Sequence, residues 1–357
     1  MNDEAASLGP SVWAVSDGRD GNAAQVRAVL QALNETQRWM QIAHIQGEGH
    51  RKEALTLKTP APFSWLPSSW SGLARASLPL DQKAALTAPW PTLWLAAGRR
   101  TARFSADMRD WSGGRTFVVH MLTPDLPADR FDLLVTPSHD EASGPNVVQT
   151  VGSPAYFAAD DVEASGLAFA DLADERGRSA IVVLGGDSKT HTFDKAATER
   201  MDVHIRAVAA AGWKLRITCS RRTPVPARAH FRALADELGA NFWEGPSDGP
   251  NPYLAWLVFS DAAIVTEDSS NMLSDAAYFG LPIHIARLTG RSAKFDRLHK
   301  SFIDHGCARW LYGGLETWTY EPLREADRVA DLIVDELLKR HPQPDIPSAD
   351  VVKPDWL

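Results

Sequence analysis

Cysteine is almost absent: Cys219 and Cys307 are the only two among 357 residues. No disulfide framework can therefore hold the chain together. One bridge between them is an option; two reduced thiols in a cytoplasmic protein is the preferred reading. Positive charge is not in excess either. The formal net charge of −8 argues against a general nucleic-acid binder, which needs a basic footprint. No apolar run approaches the roughly 20 residues of a membrane span. The segment from Met1 to Pro10 has acidic residues and no apolar core, so it does not read as a signal peptide. Several chemical motifs are missing as well. There is no Asp-x-Asp to carry a divalent metal with a diphosphate, no His/Cys cluster at zinc spacing and no Gly-x-Ser-x-Gly nucleophile elbow. Neither a metal nor a cofactor is expected.

What is present is an alternation of strand-like and helix-like segments, which predicts parallel α/β structure. Hydrophobic residues make up 44% and charged residues 23%, as in ordinary globular domains, and the length suits two of them. Strands are expected at 11–15, 40–45, 92–97, 116–121, 131–135 and 146–150, with a Pro/Trp-rich insert at 59–91 that contains Trp65 and Trp70. Around 153–178 the strands pause and charge rises, which suggests a linker. Further strands are expected at 180–184, 214–219, 241–243, 262–265 and 283–286, and an amphipathic helix at 328–340. The resulting division is an N-terminal Rossmann-like domain, 1–155, a C-terminal one, 156–325, a last helix, 326–340, and a tail, 341–357. Two such domains should face each other across a cleft.

Three strands of the second half end in polar loops. The run Thr266-Glu267-Asp268-Ser269-Ser270-Asn271 follows an apolar strand and opens a helix stopped by Gly280. Helix N-termini at the carboxyl edge of a parallel sheet favour anions, and Glu267 or Asp268 suits the hydroxyls of a ribose or sugar. Capping explains one such residue, not six in a row. Gly185-Gly186-Asp187-Ser188-Lys189 permits close approach of backbone N–H groups to a ligand, with Ser188 and Lys189 as phosphate partners. It lacks the Gly-x4-Gly-Lys-Ser/Thr spacing of a P-loop and alone reads equally as a plain connection. Ser220-Arg221-Arg222-Thr223-Pro224 places adjacent guanidinium groups at a strand end, which fits a diphosphate clamp; the alternative is a solvated basic turn.

In the first half, Ser16-Asp17-Gly18-Arg19-Asp20-Gly21-Asn22 forms another strand-to-helix turn. Asp17 or Asp20 is a candidate general base, and a turn capped by Asp and Asn is the competing reading. Arg99 with Arg100, and His139, end two more strands; His139 competes as base, although a structural histidine is commoner. Trp65 and Trp70 are candidates for peripheral membrane contact, with packing as a lid the favoured alternative.

Ser16 to Asn22 with Gln25, Gly185 to Lys189, Ser220 to Pro224 and Thr266 to Met272 together resemble the plant mitochondrial-fission ("elongated mitochondria") protein family and its bacterial relatives. The likeness spans roughly residues 10 to 340, and Ser-Arg-Arg-Thr-Pro with Thr-Glu-Asp-Ser are its most specific parts. The bacterial members are regarded as glycosyltransferases of the two-Rossmann-domain GT-B fold. That resemblance implies a nucleotide-sugar donor held by the C-terminal domain and an acceptor held by the N-terminal one. It also implies a last helix that crosses back to the first domain, and leaving-group stabilisation without metal. Plant members are described as recruiting a dynamin-like GTPase, a binding role.

The reading is a metal-independent glycosyltransferase acting on a cell-envelope glycan or glycolipid, with the nucleotide-sugar as substrate rather than cofactor. Asp17 is the expected base. The donor side comprises Gly185, Gly186, Ser188, Lys189, Ser220, Arg221, Arg222, Thr223 and Thr266 to Asn271. The acceptor side comprises Gly18, Gly21, Asn22, Arg99, Arg100 and His139. A cytoplasmic location, with peripheral membrane contact, is expected. The alternatives are a non-catalytic scaffold that recruits a protein partner, and a nucleotide-sugar epimerase.

Overall fold

A computed structural model of the chain describes residues 11–36, 52–58, 75–175 and 177–340. The chain divides into two compact units, one running to Leu134 and resuming at Asp327, the other spanning Val135–Ala326. The strand expected at 40–45, the tryptophans Trp65 and Trp70, and the tail from 341 lie outside the described residues.

Up to Leu134 the elements are β1 (Val12–Ser16), α1 (Asp20–Glu35), β2 (Lys52–Thr56), α2 (Leu80–Ala85), β3 (Leu93–Ala97), α3 (Ala102–Trp111), β4 (Phe117–Met121) and the start of β5 (Leu133–Pro137). β6 (Val147–Thr150) follows. The sheet order is β2-β1-β3-β4-β5-β6, and β1 pairs in parallel with both β2 and β3. β3 and β4 read as continuous apolar runs because both faces of a parallel sheet are covered; each of their residues is buried. β2 was not legible: Lys52-Glu-Ala-Leu-Thr56 carries no strand-like alternation.

The expected linker at 153–178 is instead structured. It holds α4 (Ala159–Ala168) and a 3₁₀ helix over Ala170–Glu175. Asp160 and Asp161 in the first turn of α4 favour that helix end through its dipole. The rise in charge marks a helix with a wet face, and the segment connects the last strand of the first sheet to the first strand of the second.

The second unit continues with β7 (Ser179–Leu184), β8 (His191–Thr192), α5 (Lys195–Ala210), β9 (Lys214–Cys219), α6 (Val225–Leu238), β10 (Asn241–Trp243), α7 (Tyr253–Phe259), β11 (Ala262–Thr266), α8 (Ser270–Tyr278), β12 (Ile283–Ala286), β13 (Thr289–Gly290), α9 (Ala293–Asp304) and β14 (Ala308–Trp310). Its six-stranded sheet has the order β10-β9-β7-β11-β12-β14, and every neighbouring pair is parallel. In chain order this is the 3-2-1-4-5-6 arrangement of a Rossmann fold, whose order reverses between β7 and β11.

Strand alternation sorts the core of this unit. Val182, Leu184, Ile217 and Ile264 face Met201, Ile205 and Phe231 on one side. Ile181, Val183, Val265 and Ile283 face Trp256, Leu273 and Phe302 on the other. The final helix, α10 (Glu325–Arg340), buries Val329, Ile333, Val334 and Leu337, the 3.6-residue stripe of an amphipathic helix. From Asp327 it belongs to the first unit, where Arg340 Nη2 lies 2.6 Å from Asp132 Oδ1. Among the described residues no helix is long and apolar enough to cross a membrane. Cys219 and Cys307 are both free.

Candidate functional site

The second sheet reverses its strand order between β7 and β11, and a parallel sheet opens a crevice at such a point. The loops after β7, β9 and β11 meet there. Gly185 N–H donates to Thr266 Oγ1 at 2.7 Å, and Gly186 N–H donates to Asp268 Oδ2 at 3.0 Å. Arg222 Nη2 reaches the same carboxylate at 2.7 Å, and Thr266 Oγ1 donates to its Oδ1 at 2.7 Å. Asp268 is therefore the hub that ties the three loops together.

The two glycines are explained by that crowding. A Cβ on Gly185 would stand 2.0 Å from Asp268 Oδ1, and one on Gly186 would stand 2.0 Å from the carbonyl oxygen of Arg222. The Gly-Gly pair serves the meeting of loops within the protein.

Several residues expected on the donor side turn out to hold the loops. Asp268, read as a partner for hydroxyls, has a wholly buried side chain with both oxygens engaged. The Thr223 hydroxyl lies 2.9 Å from the Leu184 carbonyl and also contacts that of Gly185. Ser220 Oγ accepts from Arg222 N–H at 3.1 Å. Ser188 Oγ accepts from His191 N–H at 3.0 Å, an ST-turn at the loop tip. Ser269 caps α8 by accepting from Met272 N–H at 3.4 Å. Ser270 Oγ lies 3.0 Å from Ser153 Oγ, and Asn271 is half-buried in the first turn of α8. Asp187, Ser188, Lys189, Arg221 and Arg222 are exposed polar side chains of this edge.

Glu267 points the other way along the sheet. Its Oε1 accepts from Leu288 N–H at 2.7 Å, its Oε2 lies 3.9 Å from Arg287 Nη1, and burial pushes its carboxyl above the usual range. His299 Nε2 donates to the Glu267 carbonyl at 2.8 Å, while burial lowers the imidazole to about 4. Arg287 and His299 escaped the sequence reading. The only signal for Arg287 was its place directly after a strand, the position that made Arg221 and Arg222 conspicuous.

In the first unit, Asp17 directly follows β1 at the β1/β3 reversal of its own sheet. Its Oδ1 accepts from Arg19 N–H at 3.2 Å and Asn22 Nδ2 at 3.0 Å. Among the described residues its buried Oδ2 has no hydrogen-bond partner, with Arg19 Nε 3.6 Å away. Gly18 (φ +78) and Gly98 (φ +95) adopt backbone conformations that favour glycine. A Cβ on Gly98 would meet Asn22 Nδ2 at 2.3 Å, so Asn22 bridges the ends of β1 and β3. Gly21 lies inside α1 rather than in the turn. Arg99 is paired with Asp125, and Arg100 is exposed.

His139 follows β5, a strand of the same sheet as β1, although its contacts assign it to the second unit. Its carbonyl accepts from Arg297 Nε of α9 at 2.9 Å, and Nε2 faces Asp140 at 3.7 Å. Burial lowers its imidazole to about 4. Among the described residues no three His, Cys, Asp or Glu side chains are grouped to hold a metal ion.

Comparison with known proteins agrees with this architecture. The family described as Mitochondrial fission ELM1 matches residues 20–337. The mitochondrial fission protein ELM1 of Arabidopsis thaliana is 26% identical over 278 residues, which cover 70% of this chain and 65% of that relative's length. The match thus spans slightly less than two thirds of the plant protein. Among solved structures, a provisionally assigned UDP-N-acetylglucosamine 2-epimerase from Listeria monocytogenes superposes with a TM-score of 0.57 at 11% identity, covering 95% of this chain and 99% of that one. The UDP-GlcNAc 2-epimerase from Neisseria meningitidis, bound to UDP-GlcNAc, gives 0.51 at 12% identity, over 92% and 100% of the two chains. At such identities the likeness is one of fold: two Rossmann-like domains of the GT-B type.

Proposed function

The chain belongs to the mitochondrial fission ELM1 family, and from that premise and the loop geometry we propose that it is a metal-independent glycosyltransferase. The donor is a nucleotide-sugar seated on the second unit, and the acceptor is a cell-envelope glycan or glycolipid. One observation carries this reading. Three loops from separate strands are locked together at the order reversal of a Rossmann sheet, with Arg222 held at their rim by Asp268. A surface that only recruits a partner does not require its loops to converge where such sheets bind ligands.

In this mechanism the guanidinium groups of Arg221 and Arg222, with Ser188, Lys189 and the N-terminus of α8, stabilise the negative charge that grows on the departing nucleoside diphosphate. Charge-assisted, forked donors supply the stabilisation that a divalent metal gives in other transferases. Asp17 takes the proton from the acceptor hydroxyl. Its Oδ1 accepts from Arg19 N–H and Asn22 Nδ2, which holds the carboxylate in place.

Two other readings draw on the comparisons. The Arabidopsis relative is named for mitochondrial fission, which favours a scaffold; the Neisseria neighbour is an epimerase holding UDP-GlcNAc, which favours conversion of the donor without an acceptor. Calorimetry without metal, against nucleoside diphosphates and their sugars beginning with UDP and UDP-GlcNAc, separates these. Micromolar binding that weakens in Arg222→Ala supports a donor site. No binding across the panel overturns it in favour of the scaffold. Conversion of the sugar without release of nucleotide overturns it in favour of the epimerase.

A further inference from the structure

Glu267 and Asp268, adjacent at the end of β11, each hold an arginine from a different strand. Asp268 holds Arg222, which follows β9, and Glu267 faces Arg287, which follows β12. In the sheet order β9 and β12 lie on opposite sides of β11, and their backbones are three strand spacings, about 14 Å, apart. The two arginines therefore reach the edge of β11 from opposite sides and can address different groups of one ligand.

Arg287 is built as a fixed fork. Its guanidinium carbon lies 3.7 Å from the ring centroid of Trp310, so one planar face is covered. Trp310 stands edge-on to His299 at 5.1 Å, and His299 donates to the Glu267 carbonyl at 2.8 Å. Glu267, its side chain 6% exposed, completes the circuit at 3.9 Å from Arg287 Nη1. Stacking occupies the face of a guanidinium and leaves its in-plane N–H donors, the ones that match a carboxylate or phosphate. At 3.9 Å the Glu267 contact is too long for a hydrogen bond. The side chain is also 54% exposed, so an incoming oxyanion can reach the fork without a rearrangement, and the ordering cost is already met.

We infer that Arg287 is a specificity post for an oxyanion on the transferred sugar, so that the donor is an acidic nucleotide-sugar, of which a uronic acid is the simplest case. This rests on the nucleotide-sugar reading above. Within such a donor the diphosphate falls to Arg222, and the nucleoside carries no further anion. The remaining place for an oxyanion is the sugar.

The test is calorimetry of wild type and Arg287→Gln with UDP, UDP-glucose and UDP-glucuronate, and with GDP, GDP-mannose and GDP-mannuronate. The expected result is that wild type prefers the acidic sugar over its neutral counterpart by about tenfold or more, and that Arg287→Gln brings the ratio close to one. The ratio is the readout because loss of a merely structural contact would weaken both sugars alike. Equal affinity of wild type for the two sugars overturns the inference, as does a preference that survives in the variant; in either case the donor site itself stands. Binding of none of the six overturns the donor reading and this inference with it.

Discussion

Arg222 and Asp268 are 46 positions apart in the chain, yet Nη2 of the one lies 2.7 Å from Oδ2 of the other. The carboxylate is wholly buried, whereas the arginine side chain is 43% exposed. Asp268 thus holds the guanidinium from beneath while part of it stays open to the solvent edge. An arginine tethered in this way is ordered before any ligand arrives.

Arg222→Ala should lower nucleotide affinity roughly tenfold to a hundredfold, the worth of a lost charge-assisted bond. It should also destabilise the fold by roughly 1–2 kcal/mol, less than a fully buried pair because Arg222 is partly solvated. Asp268→Asn should weaken nucleotide binding too, by releasing Arg222. Calorimetry and denaturant melts check both; affinities matching wild type in both variants would remove the clamp from the mechanism.

Gly186→Ala should cost at least about 2 kcal/mol, because its Cβ would lie 2.0 Å from a main-chain oxygen that cannot turn aside. Gly166, inside α4, is the contrasting case: a Cβ there meets only the Phe259 ring edge at 3.8 Å. Gly166→Ala should therefore stabilise by about 0.5–1 kcal/mol through helix propensity. Thermal unfolding of the pair should shift in opposite directions, and a shift in the same direction would contradict the packing described.

The pH dependence has two opposed parts. Burial raises the Asp275 carboxyl from 3.8 to about 7, against the pull of the Tyr253 hydroxyl that donates to it at 3.0 Å. Between pH 4 and 7 the folded state keeps a proton that the unfolded chain has shed, so this contribution falls as pH rises. Burial holds His120 at about 3 and His139 and His299 at about 4. Those groups destabilise the fold as pH drops below 6.5, where the unfolded chain takes up their protons. Asp275→Asn removes only the first part. It should melt above wild type at pH 8, with the advantage fading toward pH 4, and a difference that is flat with pH would refute the raised carboxyl.

Asp17→Asn should cut transfer to an acceptor by about a hundredfold or more, the usual worth of a positioned base, while the donor still binds. An assay of nucleoside diphosphate released in the presence of acceptor reads the first and calorimetry the second. Full turnover would assign the base elsewhere.

Local pattern alone determined most of the elements. The strands at 214–219, 241–243 and 283–286 have the bounds the sequence predicts, because alternation, apolar runs and glycine stops are properties of neighbouring residues. The same signals put polar loops at strand ends and so brought Arg222, Asp268 and Asp17 into view. Tertiary structure alone decided what those residues do. Strand order is set by long-range pairing, which leaves no mark in a window of ten residues, and only that order brings β7, β9 and β11 side by side. Asp268 resembles a ligand-binding carboxylate until its buried partners are known. His139 resembles a free base until Arg297 is found on its carbonyl and burial around its ring. Arg287 is one arginine among many until Trp310 lies beneath it and Glu267 beside it. A side chain's chemistry is written in its identity, but whether it faces a ligand or holds a loop depends on which distant atoms burial has placed against it.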